Sequence, residues 1–219
     1  MAELGKLEKP PASDFAGKRK LYCVPDIYPA EDAPDEYKGL FDRYWDEVAV
    51  QIDKVENAGR IRKVFCEGVT GHGKEALDEL DRMNERLSRI VRRKVEEGAE
   101  LYPIESEEIL GPFLDWGNCL QVVRTQEVFN KVLGFYSELS DARLKHITEA
   151  IDGALRGNEA GLLILRDEDR VKLRLPGDLE VFLVTPPSYD DLVRWIRERM
   201  REELKDVSVE QGFIFPENS

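Results

Sequence analysis

At 219 residues and 25.2 kDa, the chain can bury a full core as one domain, with no need of disulfides or a structural metal. Its 32 Lys and Arg stand against 45 Asp and Glu, a net charge of −13, which argues against the cationic surface that nucleic acid or an anionic membrane demands. An apolar fraction of 42% excludes a disordered chain.

Residues 1–19 mix Lys, Pro, Ala and Gly without a period and are expected to form a mobile leader. Lys20–Val24, a short apolar run stopped by Pro25, reads as a first strand. From Asp35 to Asn57 the apolar residues, among them Tyr37, Phe41, Tyr44, Val48 and Ile52, step by three and four and predict a helix closed by Gly59. Lys63–Cys66 reads as a buried strand, and Leu77, Leu80, Leu87, Val91 and Val95 mark one long second helix with Gly98 as its stop. Leu101–Ile104 is a third strand that its Pro103 places at a sheet edge.

Two helices are then expected, over Asn118–Tyr136 and from an N-capping Ser140 to Leu155. The period changes to two afterwards: Leu162–Leu165, then Val171/Leu173/Leu175, then Leu179–Val184 beyond the turn Pro176-Gly177-Asp178. The segment Pro186–Asp191 opens a last amphipathic helix, in which Ser188 and Asp191 have capping-box spacing. This order predicts an α/β (or α+β) layered fold, in which long helices pack on a central mixed sheet and a C-terminal strand pair precedes an amphipathic helix. Residues 20–204 would form the single domain, and the apolar residues of 205–219 would dock that tail on the body or on a neighbour.

The loop Glu67-Gly68-Val69-Thr70-Gly71-His72-Gly73-Lys74-Glu75 sits where strand two passes into a helix, the place where open α/β sheets bind ligands. Gly71 and Gly73 can bring backbone amides close to a ligand, and Lys74 adds a cation. Gly68, Gly73 and Lys74 fit the spacing of a phosphate loop, but Glu75 stands where a magnesium-binding hydroxyl belongs, so only a degenerate anion site is expected. Alternatively, Glu67 is a base with His72 as its partner, and Arg143 or Lys74 is the clamp for an oxyanion or carboxylate. Structural readings stand beside these: Glu67 as a cap or salt-bridged to Arg60 or Arg62, His72 solvated, and His146 a boundary histidine on its helix.

Cys23, Cys66 and Cys119 are odd in number and contain no CxxC pair, which fits reduced thiols and a cytoplasmic protein. The start of the chain lacks a signal-peptide run, and no apolar run approaches a membrane span. High charge with only four Gln, at positions 51, 121, 126 and 211, is the bias of heat-adapted proteins.

Residues 60–185 resemble the superfamily that groups erythromycin esterases, pheromone-shutdown (TraB-type) proteins and ChaN-type haem-uptake lipoproteins. The resemblance rests on a strand ending in Glu67 beside Gly71-His72-Gly73-Lys74-Glu75, a helix carrying Arg143 and His146, the strand Leu162–Leu165, and Leu179–Pro186. It implies that Glu67, His72, Arg143 and His146 gather at strand ends for hydrolysis or ligand binding. Where that superfamily carries further Gly/His motifs, this chain has Val24-Pro25-Asp26-Ile27-Tyr28 and Arg166-Asp167-Glu168-Asp169-Arg170.

Two functions are therefore expected as alternatives. One is a hydrolase of small esters or amides that takes a small anionic or polar ligand at residues 67–75. The other is a non-catalytic interaction or ligand-sensing protein, with the aromatic first helix or the Arg-lined last helix as a homo-oligomer face. The residues name no cofactor, no metal site, no nucleic acid and no membrane partner.

Overall fold

The computed structural model describes residues 17–29 and 32–210, the last nine of these by backbone alone. Strands β1 (Arg19–Pro25), β2 (Ile61–Cys66), β3 (Glu100–Leu101), β4 (Ala160–Leu165) and β5 (Leu179–Leu183) form one sheet in the order β3-β2-β4-β1-β5. Every ladder in it is parallel. The helices are α1 (Asp35–Val55), α2 (Gly73–Met83), α3 (Glu85–Glu96), α4 (Glu107–Val122), α5 (Gln126–Ala154), α6 (Asp167–Arg170) and α7 (Pro187–Glu210).

Central strands covered on both faces must be apolar on both, and β4, with the sequence AGLLIL, is buried at every position. Alternate residues divide between two cores. Tyr22, Val24, Val64, Cys66, Leu162 and Ile164 face α1, α2, α3 and α7. Leu21, Cys23, Phe65, Leu163 and Leu165 face Ile147 and Ile151 of α5. The result is a three-layer α/β fold. It places the carboxyl ends of all five strands on one edge, because parallel strands share a direction.

Several expectations need correction. The sheet is parallel throughout, not mixed, and the C-terminal strand pair does not form. After α6 the backbone continues to bond locally, Lys172 N–H to Asp169 O at 3.0 Å and Leu173 N–H to Arg170 O at 3.2 Å, so no ladder is available over 171–175. The alternation there reflects Leu173 and Leu175 packing on the α5 core, while β5 joins the edge beside β1. The second long helix is two helices, broken at Asn84. This buried side chain accepts from Leu87 N–H (3.1 Å) and donates to Ile27 O (3.0 Å), and so trades helical continuity for a tie to the loop after β1. The middle helices divide at residues 123–125, not before Ser140: the covered positions Val132, Tyr136, Leu139, Arg143, Ile147 and Ile151 keep helical spacing through α5. Ser188 does not cap α7; its amide and hydroxyl both donate to Glu47 of α1, at 3.2 and 2.6 Å. The expected leader lies, apart from residues 17–19, outside the described residues, as does the end of the tail beyond 210.

Candidate functional site: a charged cluster at the carboxyl edge

Asp26, Glu67 and Arg166 are the first residues beyond β1, β2 and β4, the three strands at the middle of the sheet. Backbone bonds hold the first two in place: Asp26 N–H to Leu165 O at 3.1 Å, and Glu67 N–H to Ile164 O at 2.9 Å. Gly68 turns the chain sharply after Glu67 with φ +77°, a conformation that L side chains rarely adopt. Glu105, four residues past β3, is fixed by its amide on Val69 O at 3.2 Å. Across the opposite layer, α5 delivers Arg143 and α6 delivers Asp169.

Arg143 is the hub. Only 2% exposed, its Nε donates to both oxygens of Glu105 at 3.0 Å, and its Nη2 to Glu105 Oε1 at 2.5 Å and Glu67 Oε1 at 3.1 Å. Nη1 donates to Asp169 Oδ2 at 2.6 Å. The Phe113 ring lies 5.0 Å from its Cζ, adding a cation–π contact. Burial works against the guanidinium charge, but hydrogen bonds and charge from Glu105, Glu67 and Asp169 outweigh it and hold the pKa above its ordinary value. Arg166 closes the ring from the solvent side: its Nε donates to Glu67 Oε1 at 2.7 Å and its amide to Glu67 Oε2 at 3.0 Å.

Asp26 is the exception in this satisfied network. It is 6% exposed, and its Oδ1 is buried with no hydrogen-bond partner. Burial, reinforced by the negative charge of Glu67, pushes its carboxyl up to about 7 from 3.8, against pulls downward from Arg166, the Tyr28 hydroxyl and the Ile27 amide. Three neighbours pin the backbone around it: Tyr44 Oη donates to Pro25 O at 2.5 Å, Asn84 to Ile27 O at 3.0 Å, and Tyr37 Oη to Tyr28 O at 2.8 Å. The carboxyl group is thus held in one place with a free acceptor, beside Tyr28, which is 38% exposed. A buried carboxyl that gains and loses a proton near neutrality suits general acid/base work.

Of the residues singled out from the sequence, Glu67 and Arg143 meet directly. His72 does not join them: it is exposed, precedes α2 without capping it, and sets its ring edge-on to Tyr102 at 6.1 Å. Lys74 and Gly73 are exposed and Gly71 is half-buried at the start of α2. His146 is half-buried on α5, one turn beyond Arg143, and takes no hydrogen bond in the cluster. Sequence reasoning gave Glu105 no role in this cluster, and met Asp26, Arg166 and Asp169 only in the segments that depart from a resemblance. The signal of Asp26 and Arg166 was positional: a charged residue directly after an apolar strand that must be central. Among the described residues, no group of three or more His, Cys, Asp and Glu is arranged to hold a metal ion, and no helix is long and apolar enough to cross a membrane. No family model, curated protein or solved structure matches this chain.

Proposed function

We propose that the carboxyl edge of the sheet is an acid/base site for a small polar ligand, and that its reaction is hydrolysis of a small ester or amide. The observation that carries this reading is the pinned Asp26 carboxyl, buried, with an unpartnered oxygen and held up to about 7. In the ionised form Asp26 takes a proton from water as that water attacks the substrate carbonyl carbon. The oxyanion forms next to Arg166, whose side chain is half-exposed on the solvent side of the cluster. Collapse breaks the bond to the alkoxide or amine, which recovers the proton from Asp26. Glu67 is a positioning residue here: its carboxylate, held by Arg143 and Arg166, is already committed to two cations.

The test is hydrolysis of a panel of small chromogenic esters and anilides between pH 5 and 9. Wild type should turn over at least one, with a rate that rises through an inflection near the Asp26 value, about 7. Asp26→Asn should lose about a hundredfold or more while staying folded. No turnover above buffer, or turnover that Asp26→Asn leaves intact, contradicts the assignment. The alternative of a non-catalytic interaction protein is favoured by one feature, the apolar surface of the α4–α5 hairpin.

A further inference from the structure

We infer that the α4–α5 hairpin is a dimerisation arm whose occupant is the same hairpin of a second copy of this chain, packed antiparallel to complete a four-helix bundle. The two helices pack on each other through the stacked pairs Phe113–Tyr136 (4.8 Å) and Trp116–Phe135 (4.9 Å). Only the C-terminal half of α5 enters the sheet core, through Ile147 and Ile151. The projecting part leaves large apolar side chains in solvent: Val122 is 74% exposed, Leu114 53%, Phe135 49%, and Val128 and Leu133 more than two-fifths. A monomer seldom gathers so many on one small projection.

Their spacing fits helix partners. Gly111, Leu114, Asn118 and Gln121 follow one another on α4 at steps of three and four, all exposed and uncharged. On α5, Val128, Phe135 and Ala142 repeat every seven residues, all exposed. That is the seam spacing of paired helices. A side chain added at Gly111 or Gly134 would meet nothing in the chain's own fold, so the backbone there is open to a close neighbour.

Charge selects the occupant and its direction. The tip, residues 119–131, carries Arg124 and Lys131 against Glu127, one net positive charge. The base, residues 107–115 and 132–142, carries Glu107, Glu108, Asp115, Glu138 and Asp141 with no Lys or Arg. An identical hairpin laid antiparallel sets each tip beside the partner's base, so the surface is complementary to itself, as a two-fold interface requires. A 16-residue α4 gives a face about 24 Å long and about 20 Å across two helices, a flat footprint of roughly 480 Å² before side-chain relief is added, at the small end for a specific interface.

Sedimentation or light scattering on the full chain tests this, with circular dichroism and melting to confirm folding of each variant. Wild type at tens of micromolar should weigh twice 25.2 kDa. Leu114→Glu/Phe135→Glu should be a folded monomer, and Val50→Glu, exposed on α1 at the other face of the sheet, should remain a dimer. Arg124→Glu should weaken the dimer by about tenfold, and adding Glu107→Lys should restore it. A monomeric wild type overturns the inference. So does a dimer that Leu114→Glu/Phe135→Glu leaves intact, or one that Arg124→Glu does not weaken. Ester hydrolysis is read separately, so either proposal can fail alone.

Discussion

Asp26 and Arg143 show two fates of a charge taken out of water. Arg143 meets three carboxylates, and removing it strands Glu67, Glu105 and Asp169 in a dry site. Arg143→Met should therefore cost about 3–5 kcal/mol, measured by denaturant unfolding; a loss below 1 kcal/mol would show that the carboxylates find water or other partners. Asp26 has the opposite sign. Its folded-state pKa, about 7, lies above the unfolded 3.8, so the folded chain binds more protons between these values. Its contribution to stability is lost as pH rises from 3.8 to about 7 and stays lost above. Asp26→Asn should accordingly melt a few degrees above wild type at pH 8, and the gap should close towards pH 4. A variant less stable at pH 8 would place a compensating partner on the carboxylate. Neither fate was legible in the sequence, since each depends on strands 40 or more residues apart arriving at one edge.

At the scale of elements, strong periodicity was legible and interruptions were not. α1 and the apolar strands β2 and β4 follow directly from spacing and burial. The breaks at Asn84 and at 123–125 do not, because each is a tertiary bargain: Asn84 gains Ile27 O and Leu87 N–H in exchange for helical bonds. The 171–175 alternation misled because two leucines docking on a helix repeat like a half-buried strand. Close packing yields two predictions. A methyl group at Gly161 would stand 2.7 Å from Phe65 Cε2 and 3.2 Å from Leu155, so Gly161→Ala should destabilise by about 1–3 kcal/mol in chemical denaturation. Ser88 in α3 is fully buried and its hydroxyl has no partner. Ser88→Ala should raise stability by about 1 kcal/mol, by removing that group and favouring the helix; a fall would mean that the hydroxyl is satisfied.

For the whole molecule, the layered α/β class was legible from the order of elements, and the parallel sheet explains why the site lies where it does. Three central strands deliver Asp26, Glu67 and Arg166 to one edge, and a helix from the far layer inserts Arg143 to neutralise part of that charge. The sequence pointed to this edge through Glu67 and Arg143 but paired Glu67 with His72, a neighbour in the chain that faces elsewhere. The carboxyl group the fold isolates is that of Asp26. The most direct test is a carboxyl-carbon NMR titration of the full chain, with Asp26 assigned by comparison with Asp26→Asn. A midpoint near 7 would establish a carboxyl poised for proton transfer at neutral pH. A midpoint near the ordinary aspartate value, about 4, would mean that Asp26 is solvated or paired, and would remove the basis for catalysis at this edge.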